Sequence, residues 1–142
     1  MNRAEVPVLE STLQKTHLWL KELSELMGWD NQQLAYLAFR AVLHALRDRL
    51  PVEITAKFGA QLPLLIRGIY YEGWVPAHTP LKIHQAEDFS NLVAGYLNND
   101  ILIPQTRFII KNVFKVIENH VSEGEMNHLR KVLPEPIISL WY

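Results

Sequence analysis

Leu9, Leu13, Thr16, Leu20, Leu23 and Met27 recur at alternating steps of four and three, the stripe of a helix that buries one side. Ser11 with Gln14 reads as its capping box and Gly28 as its stop. Asp30 with Gln33 opens a second helix that runs to about Leu50. This second segment is apolar almost all round, with Arg40, His44, Arg47 and Asp48 confined to one stripe. It should therefore lie centrally among other helices. Pro51 suits the first turn of a third helix, whose apolar ladder is Ile54, Phe58, Leu62, Leu65 and Ile69. Pro63 falls inside that ladder, four residues after Gly59, and predicts a kink in a continuous helix. From Glu72 to Ile83 the pattern stops, and Gly73, Pro76 and Pro80 mark a connector. A fourth helix starts near His84 and ends near Asn98, Pro104 starts a fifth, and Ser122 with Glu125 caps a sixth.

Three helices, a connector and three more helices suggest a duplication. A displacement of 71 residues sets LAFRAVLHALRDRL (37–50) on FIIKNVFKVIENHV (108–121) and QLPLLIRGIYY (61–71) on VLPEPIISLWY (132–142). Identities are few, among them Leu62 with Leu133, Pro63 with Pro134 and Tyr71 with Tyr142, but the apolar pairing is fuller. Tyr70 meets Trp141, so both should be buried, whereas Arg67 meets Ile138 and has no counterpart. Pro134 is followed by Pro136, and there the helix should break rather than bend. The expected architecture is all-α: a six-helix bundle of two pseudo-repeated three-helix units. It forms a single domain over 1–142, with halves 9–71 and 84–142 and a connector 72–83.

Composition narrows the role. The 142 residues are 49% apolar and 10% aromatic, enough to build a core. Fourteen Lys and Arg against fifteen Asp and Glu give a net charge of -1, with no marked asymmetry between the halves. No global field draws the protein to nucleic acid or anionic lipid. The absence of cysteine excludes disulfides, thiolate metal sites and a Cys nucleophile. The start, MNRAEVPVLEST, lacks the apolar stretch of a secretory signal, and no run approaches the length of a membrane span. A cytoplasmic location is the expectation.

LRDRLP at 46–51, AQLP at 60–63 and RGIYYEGWVP at 67–76 resemble the domain of unknown function 2267 family, a group of uncharacterised bacterial proteins. The resemblance extends from about His17 onward. It implies a small helical cytoplasmic protein, and it brings neither an activity nor catalytic residues.

Candidate chemistry is sparse. Glu125 and His128 have the Glu-x-x-His spacing of di-iron carboxylate bundles, but the repeat-related residues are Ile54 and Lys57 and no second such motif exists. No metal and no cofactor is expected. There is no Gly-x-Ser-x-Gly elbow and no glycine-rich phosphate loop. Arg107, Lys111 and Lys115 form a basic stripe that reads as a solvated helix face, with an acidic partner as the alternative. Arg47, Arg49, Arg67, Tyr71 and Trp74 are the candidate binding residues, because Arg, Tyr and Trp dominate binding hot spots. In the structural alternative, Arg47 and Arg49 complement the end of the second helix, Arg67 pairs with a local carboxylate such as Glu72, and Trp74 holds the connector. The leading reading is a non-enzymatic protein-interaction or regulatory module. The other is a small anionic-ligand binder or enzyme using the cleft between the halves, with Arg67 as anchor. The expected partners are a protein or a small anion, with self-association open and neither nucleic acid nor membrane involved.

Overall fold

The computed structural model describes residues 6–142, so the first five residues of the expected domain lie outside it. Eight α-helices and no strand are present among the described residues: α1 (Pro7–Met27), α2 (Gln32–Arg49), α3 (Val52–Gly59), α4 (Leu64–Tyr71), α5 (Ala86–Leu97), α6 (Thr106–His120), α7 (Glu123–Val132) and α8 (Glu135–Ile138). The expected six become eight because prolines interrupt two of them. Pro63 stands at the N-cap of α4 with ψ 150°, extended backbone that no continuous helix could contain. α3 therefore ends at Gly59 and the chain turns through 60–63, correcting the expected kink to a break. Pro134 occupies the same position before α8, with ψ 145°.

Capping is also corrected at two starts. α1 begins at Pro7 behind Val6, with no side-chain cap, so Ser11 and Gln14 lie within the helix. At α2 the N-cap is Asn31, not Asp30; its side chain accepts from the Gln33 N–H at 2.8 Å. Gly28 (φ 74°) and Asn98 (φ 44°) end α1 and α5 in the left-handed conformation. Ser122 caps α7 by accepting from the Glu125 N–H.

α2 is the central rod. Every residue from Ala41 to Leu50 is buried, and the helix packs on α1, α4, α5 and α6. α6 packs in turn on α1, α5 and the final turn at Ser139–Trp141. The core runs through all these elements, from Trp19 and Leu23 to Ile137 and Trp141.

The buried stripe of α1 differs from the expected one. It is Thr12, Thr16, Trp19, Leu23 and Met27 that turn inward, while Leu9 and Leu13 are 59% and 49% exposed. Polar atoms explain the rotation. Thr12 Oγ accepts from the Leu65 N–H at 2.9 Å, satisfying one of the free donors at the start of α4. Thr16 Oγ donates to Thr12 O at 2.7 Å. Two small residues thus let α4 approach α1, and the leucines are left outside.

Candidate functional site

The candidate residues converge where α2, α4 and the connector meet. Short helices leave unpaired carbonyls at their C-termini, and α3 and α4 have eight residues each. Basic side chains satisfy both ends. Arg67 donates from Nε to Gly59 O (3.0 Å) and from Nη2 to Ala60 O (3.3 Å) and Leu62 O (3.0 Å), closing the end of α3 and the turn after it. Arg47, 2% exposed, donates from Nη1 to Tyr70 O (3.1 Å) and Glu72 O (2.6 Å) at the end of α4. His44 Nε2 reaches Ile69 O at 2.7 Å. The two guanidinium groups also complement the negative ends of the helix dipoles.

The Arg47 guanidinium has a charged partner as well. Its Nε donates to Asp48 Oδ1 at 2.9 Å, and the other Asp48 oxygen accepts from the Tyr96 hydroxyl of α5. Burial, together with that carboxylate, pushes the Tyr96 phenol above its usual range. One network thus links the C-terminus of α2 to α4 and α5. Glu72 is paired with Arg40 at 3.0 Å, so the expected Arg67–Glu72 pair is replaced by Arg40–Glu72.

The aromatic residues fill the remaining space. Tyr70 is fully buried, stands edge-on to Phe58 (5.6 Å between centroids), and donates its hydroxyl to Thr55 O at 3.0 Å. Burial pushes its phenol strongly up. Tyr71 lies against Gly59, where its ring carbons would come within 2.8 and 3.0 Å of any added Cβ. Trp74 packs on Tyr71 at 5.4 Å, and its buried indole N–H has no partner. Trp141, the expected counterpart of Tyr70, is buried and stacks on Phe114 at 4.2 Å.

Arg47, Arg67, Tyr71 and Trp74 therefore form one contiguous arrangement whose polar contacts run to main-chain atoms, apart from the Arg47–Asp48 pair. Arg49 is separate. It is 8% exposed and donates from Nε to Ile83 O of the connector at 2.6 Å. Asp48, His44 and Tyr96 complete the arrangement but were not singled out as binding residues from the sequence. The signal for His44 and Asp48 is the polar stripe on an otherwise apolar α2; Tyr96, on α5, carries none in the sequence.

Elsewhere, Glu125 and His128 lie 3.6 Å apart on α7. Arg107, Lys111 and Lys115 are exposed along α6. A second feature absent from the sequence reading is an apolar groove between α1 and α4. Its walls are Leu9 and Leu13 on one side and Leu64, Leu65 and Ile69 on the other, with Gly68 open beneath and a volume of about 510 Å³. No helix among the described residues is long and apolar enough to cross a membrane.

A family model described as "Uncharacterized conserved protein (DUF2267)" matches residues 16–140. The match covers most of the chain, and the protein belongs to that family. A search of curated proteins finds no match.

Proposed function

We propose that this protein is a non-enzymatic interaction module that works through the α1/α4 groove, and that the groove receives the same surface of a second copy. The observation that carries this reading is the outward placement of Leu9, Leu13, Leu64 and Leu65, each between 42% and 59% exposed. Contiguous exposed apolar surface of this kind marks interaction sites. The occupant follows from the shape. Leu9 and Leu13 stand one turn apart and form an apolar ridge on α1. That ridge is itself one wall of the groove. A surface that carries both ridge and groove is self-complementary, as a twofold interface requires. Gly68, with open space above it, leaves room for a leucine from the partner.

The scaffold behind this surface is a single duplicated domain in our reading. Displaced by 71 residues, the extended junction residue Leu50 falls on Val121, the N-cap Pro63 on Pro134, and buried Tyr70 on buried Trp141. A displacement of 70 sets Trp19, Leu23 and Met27 on Phe89, Val93 and Leu97, all buried, and the left-handed cap Gly28 on Asn98. Packing follows the same exchange: α1 on α6 corresponds to α5 on α2, and α1 on α4 to α5 on α8. The groove breaks this symmetry. Leu64 and Leu65 correspond to Glu135 and Pro136, and the segment matching Leu9–Leu13 is connector rather than helix. Divergence at one copy is how a duplicated scaffold acquires a surface of its own.

Sedimentation equilibrium tests the reading. The wild type should associate to a dimer at tens of micromolar, and Leu13→Glu should be monomeric with an unchanged helical circular dichroism spectrum, because position 13 is half exposed. A wild type that stays monomeric, or a Leu13→Glu protein that dimerises as tightly, overturns it.

A further inference from the structure

Arg49 ends α2 and is not among the residues that line the leucine groove, and its surroundings differ from those of Arg47. Arg47 has the Asp48 carboxylate at 2.9 Å. Arg49 is nine-tenths buried, yet no acidic group lies within ion-pair distance of it among the described residues. Its one hydrogen bond, from Nε to Ile83 O, holds the guanidinium plane against the connector. Burial without a compensating anion draws its pKa below the ordinary guanidinium value. Buried charges are normally paired, because taking a cation out of water costs several kcal/mol. Arg49 is the exception among the described residues.

The same residue lines a concavity of about 570 Å³ formed with residues 77–82 of the connector and with His84 just after it. The other polar side chains there are His78, Lys82 and His84, all exposed, and Thr79; no Asp or Glu contributes to the lining. In a chain whose net charge is -1 with histidine neutral, a cavity lined by Arg49 and Lys82 with two histidines and no acid is a local concentration of positive potential. Two main-chain donors beside it are already occupied: the Leu81 N–H donates to Asp48 O at 2.8 Å and the Ile83 N–H to Leu81 O at 3.0 Å. The Thr79 hydroxyl donates to Pro76 O at 2.9 Å. The charged groups that an anion would meet in this cavity are the Arg49 guanidinium and the Lys82 ammonium.

We propose that this cavity binds the phosphate group of a small phosphorylated compound, with Arg49 as the fixed partner and Lys82, His78 and His84 closing over it from the connector. The guanidinium presents planar donors that match phosphate oxygens, and a lysine adds a point charge. The cavity's size is that of small-molecule sites rather than of a surface that tracks a polymer. The site lies at the junction of the proposed halves but does not use Arg67, whose donors are engaged at the end of α3. It is also independent of the groove.

Isothermal titration calorimetry with pyrophosphate as the probe, at physiological ionic strength and against a sodium chloride control of matched ionic strength, tests the proposal. The expected result is one site per chain and a rise in melting temperature in excess pyrophosphate. Lys82→Glu, at an exposed position, should weaken binding at least tenfold while leaving the free protein's melting temperature unchanged. Arg49→Met should abolish binding, and because Arg49 also holds Ile83, the Lys82→Glu result decides if that variant fails to fold. Leu13→Glu should bind pyrophosphate as the wild type does, which separates this site from the groove. No heat or stabilisation beyond the salt control, or full binding by Lys82→Glu, overturns the proposal. Co-sedimentation with vesicles containing phosphatidic acid forms a second arm: capture by vesicles without binding of pyrophosphate assigns the site to a lipid headgroup and overturns the assignment to a soluble compound.

Discussion

His44 is a buried side chain whose charge the fold opposes. It is 2% exposed, donates from Nε2 to Ile69 O, and stands edge-on to the Tyr96 ring at 5.5 Å. Desolvation pulls its pKa below the usual histidine value of 6.5; Arg47 and Arg40 add to that, while the Ile69 carbonyl and Asp48 act against it. The unfolded chain therefore takes up a proton, as pH falls through that value, that the folded chain refuses. Stability is fully present above the unfolded pKa and is lost as pH falls toward the folded one. Urea denaturation of wild type and His44→Gln between pH 7.5 and 5 checks this. Glutamine can still donate to Ile69 O but does not titrate, so the wild type should lose more stability than the variant toward pH 5. Parallel pH profiles would remove His44 as the cause. Burial at this scale was partly legible. Tyr70 was placed in the core by its pairing with Trp141, and the polar stripe of Arg40, His44, Arg47 and Asp48 was recognised. Not legible were the carbonyls these residues serve, because hydrogen bonds to main chain depend on where a distant helix ends. Arg67 shows the difference: its sequence neighbour Glu72 was the obvious partner, yet Glu72 is bound by Arg40, 32 residues earlier.

Among the elements, the two prolines behave alike. Pro63 has φ -56° and ψ 150°, and Pro134 has φ -61° and ψ 145°. Each follows a buried leucine, Leu62 or Leu133, and starts a new short helix. Extended backbone of this kind is also open to alanine, and a proline nitrogen has no donor to lose. Pro63→Ala should therefore keep the break and cost only about 0.4–1 kcal/mol, through the greater freedom of its unfolded chain. Thermal denaturation checks the cost. A loss of several kcal/mol would show that the ring itself is needed against Lys15, Leu18 and the other residues beside it. Sequence alone led to a kink at Pro63 because the apolar ladder from Ile54 to Ile69 continues without a phase change. That ladder holds only as far as Leu62: beyond Pro63 the inward positions are Ile66 and Tyr70, while Leu65 is exposed, so the break resets which face turns to the core. Helix α1 shows the opposite failure. Its leucines drew the stripe toward Leu9 and Leu13, while the buried face is built on Thr12 and Thr16, whose hydroxyls are used by neighbouring main chain. Hydrophobic pattern could not show that the leucines were surplus to the core, and the groove went unseen for that reason.

At the scale of the whole molecule, all-helical character and a central α2 followed from the sequence, because an apolar helix with one narrow polar stripe can only be satisfied by neighbours on several sides. The manner in which the halves engage did not follow from it. α2 packs on α5 and α6 as well as on α1 and α4, and α1 packs on α6, so each half buries surface that its own helices cannot cover. Within α2 the ten consecutive buried residues from Ala41 to Leu50 include Val42, Leu43, Leu46 and Leu50. A fragment of residues 1–71 would expose the part of that surface that faces α5 and α6, and would strand Asp48 without the Tyr96 hydroxyl. The ordinary margin of domain stability, about 5–15 kcal/mol, is too small to survive losses of that extent. The fragment should accordingly retain helical far-ultraviolet circular dichroism but lack fixed near-ultraviolet signals and a cooperative urea transition, the signs of a chain without specific tertiary packing. Mixing it with residues 72–142 should restore both. Cooperative unfolding of the 1–71 fragment alone would mean that the halves are autonomous domains, and that their mutual packing is an interface added to two finished folds.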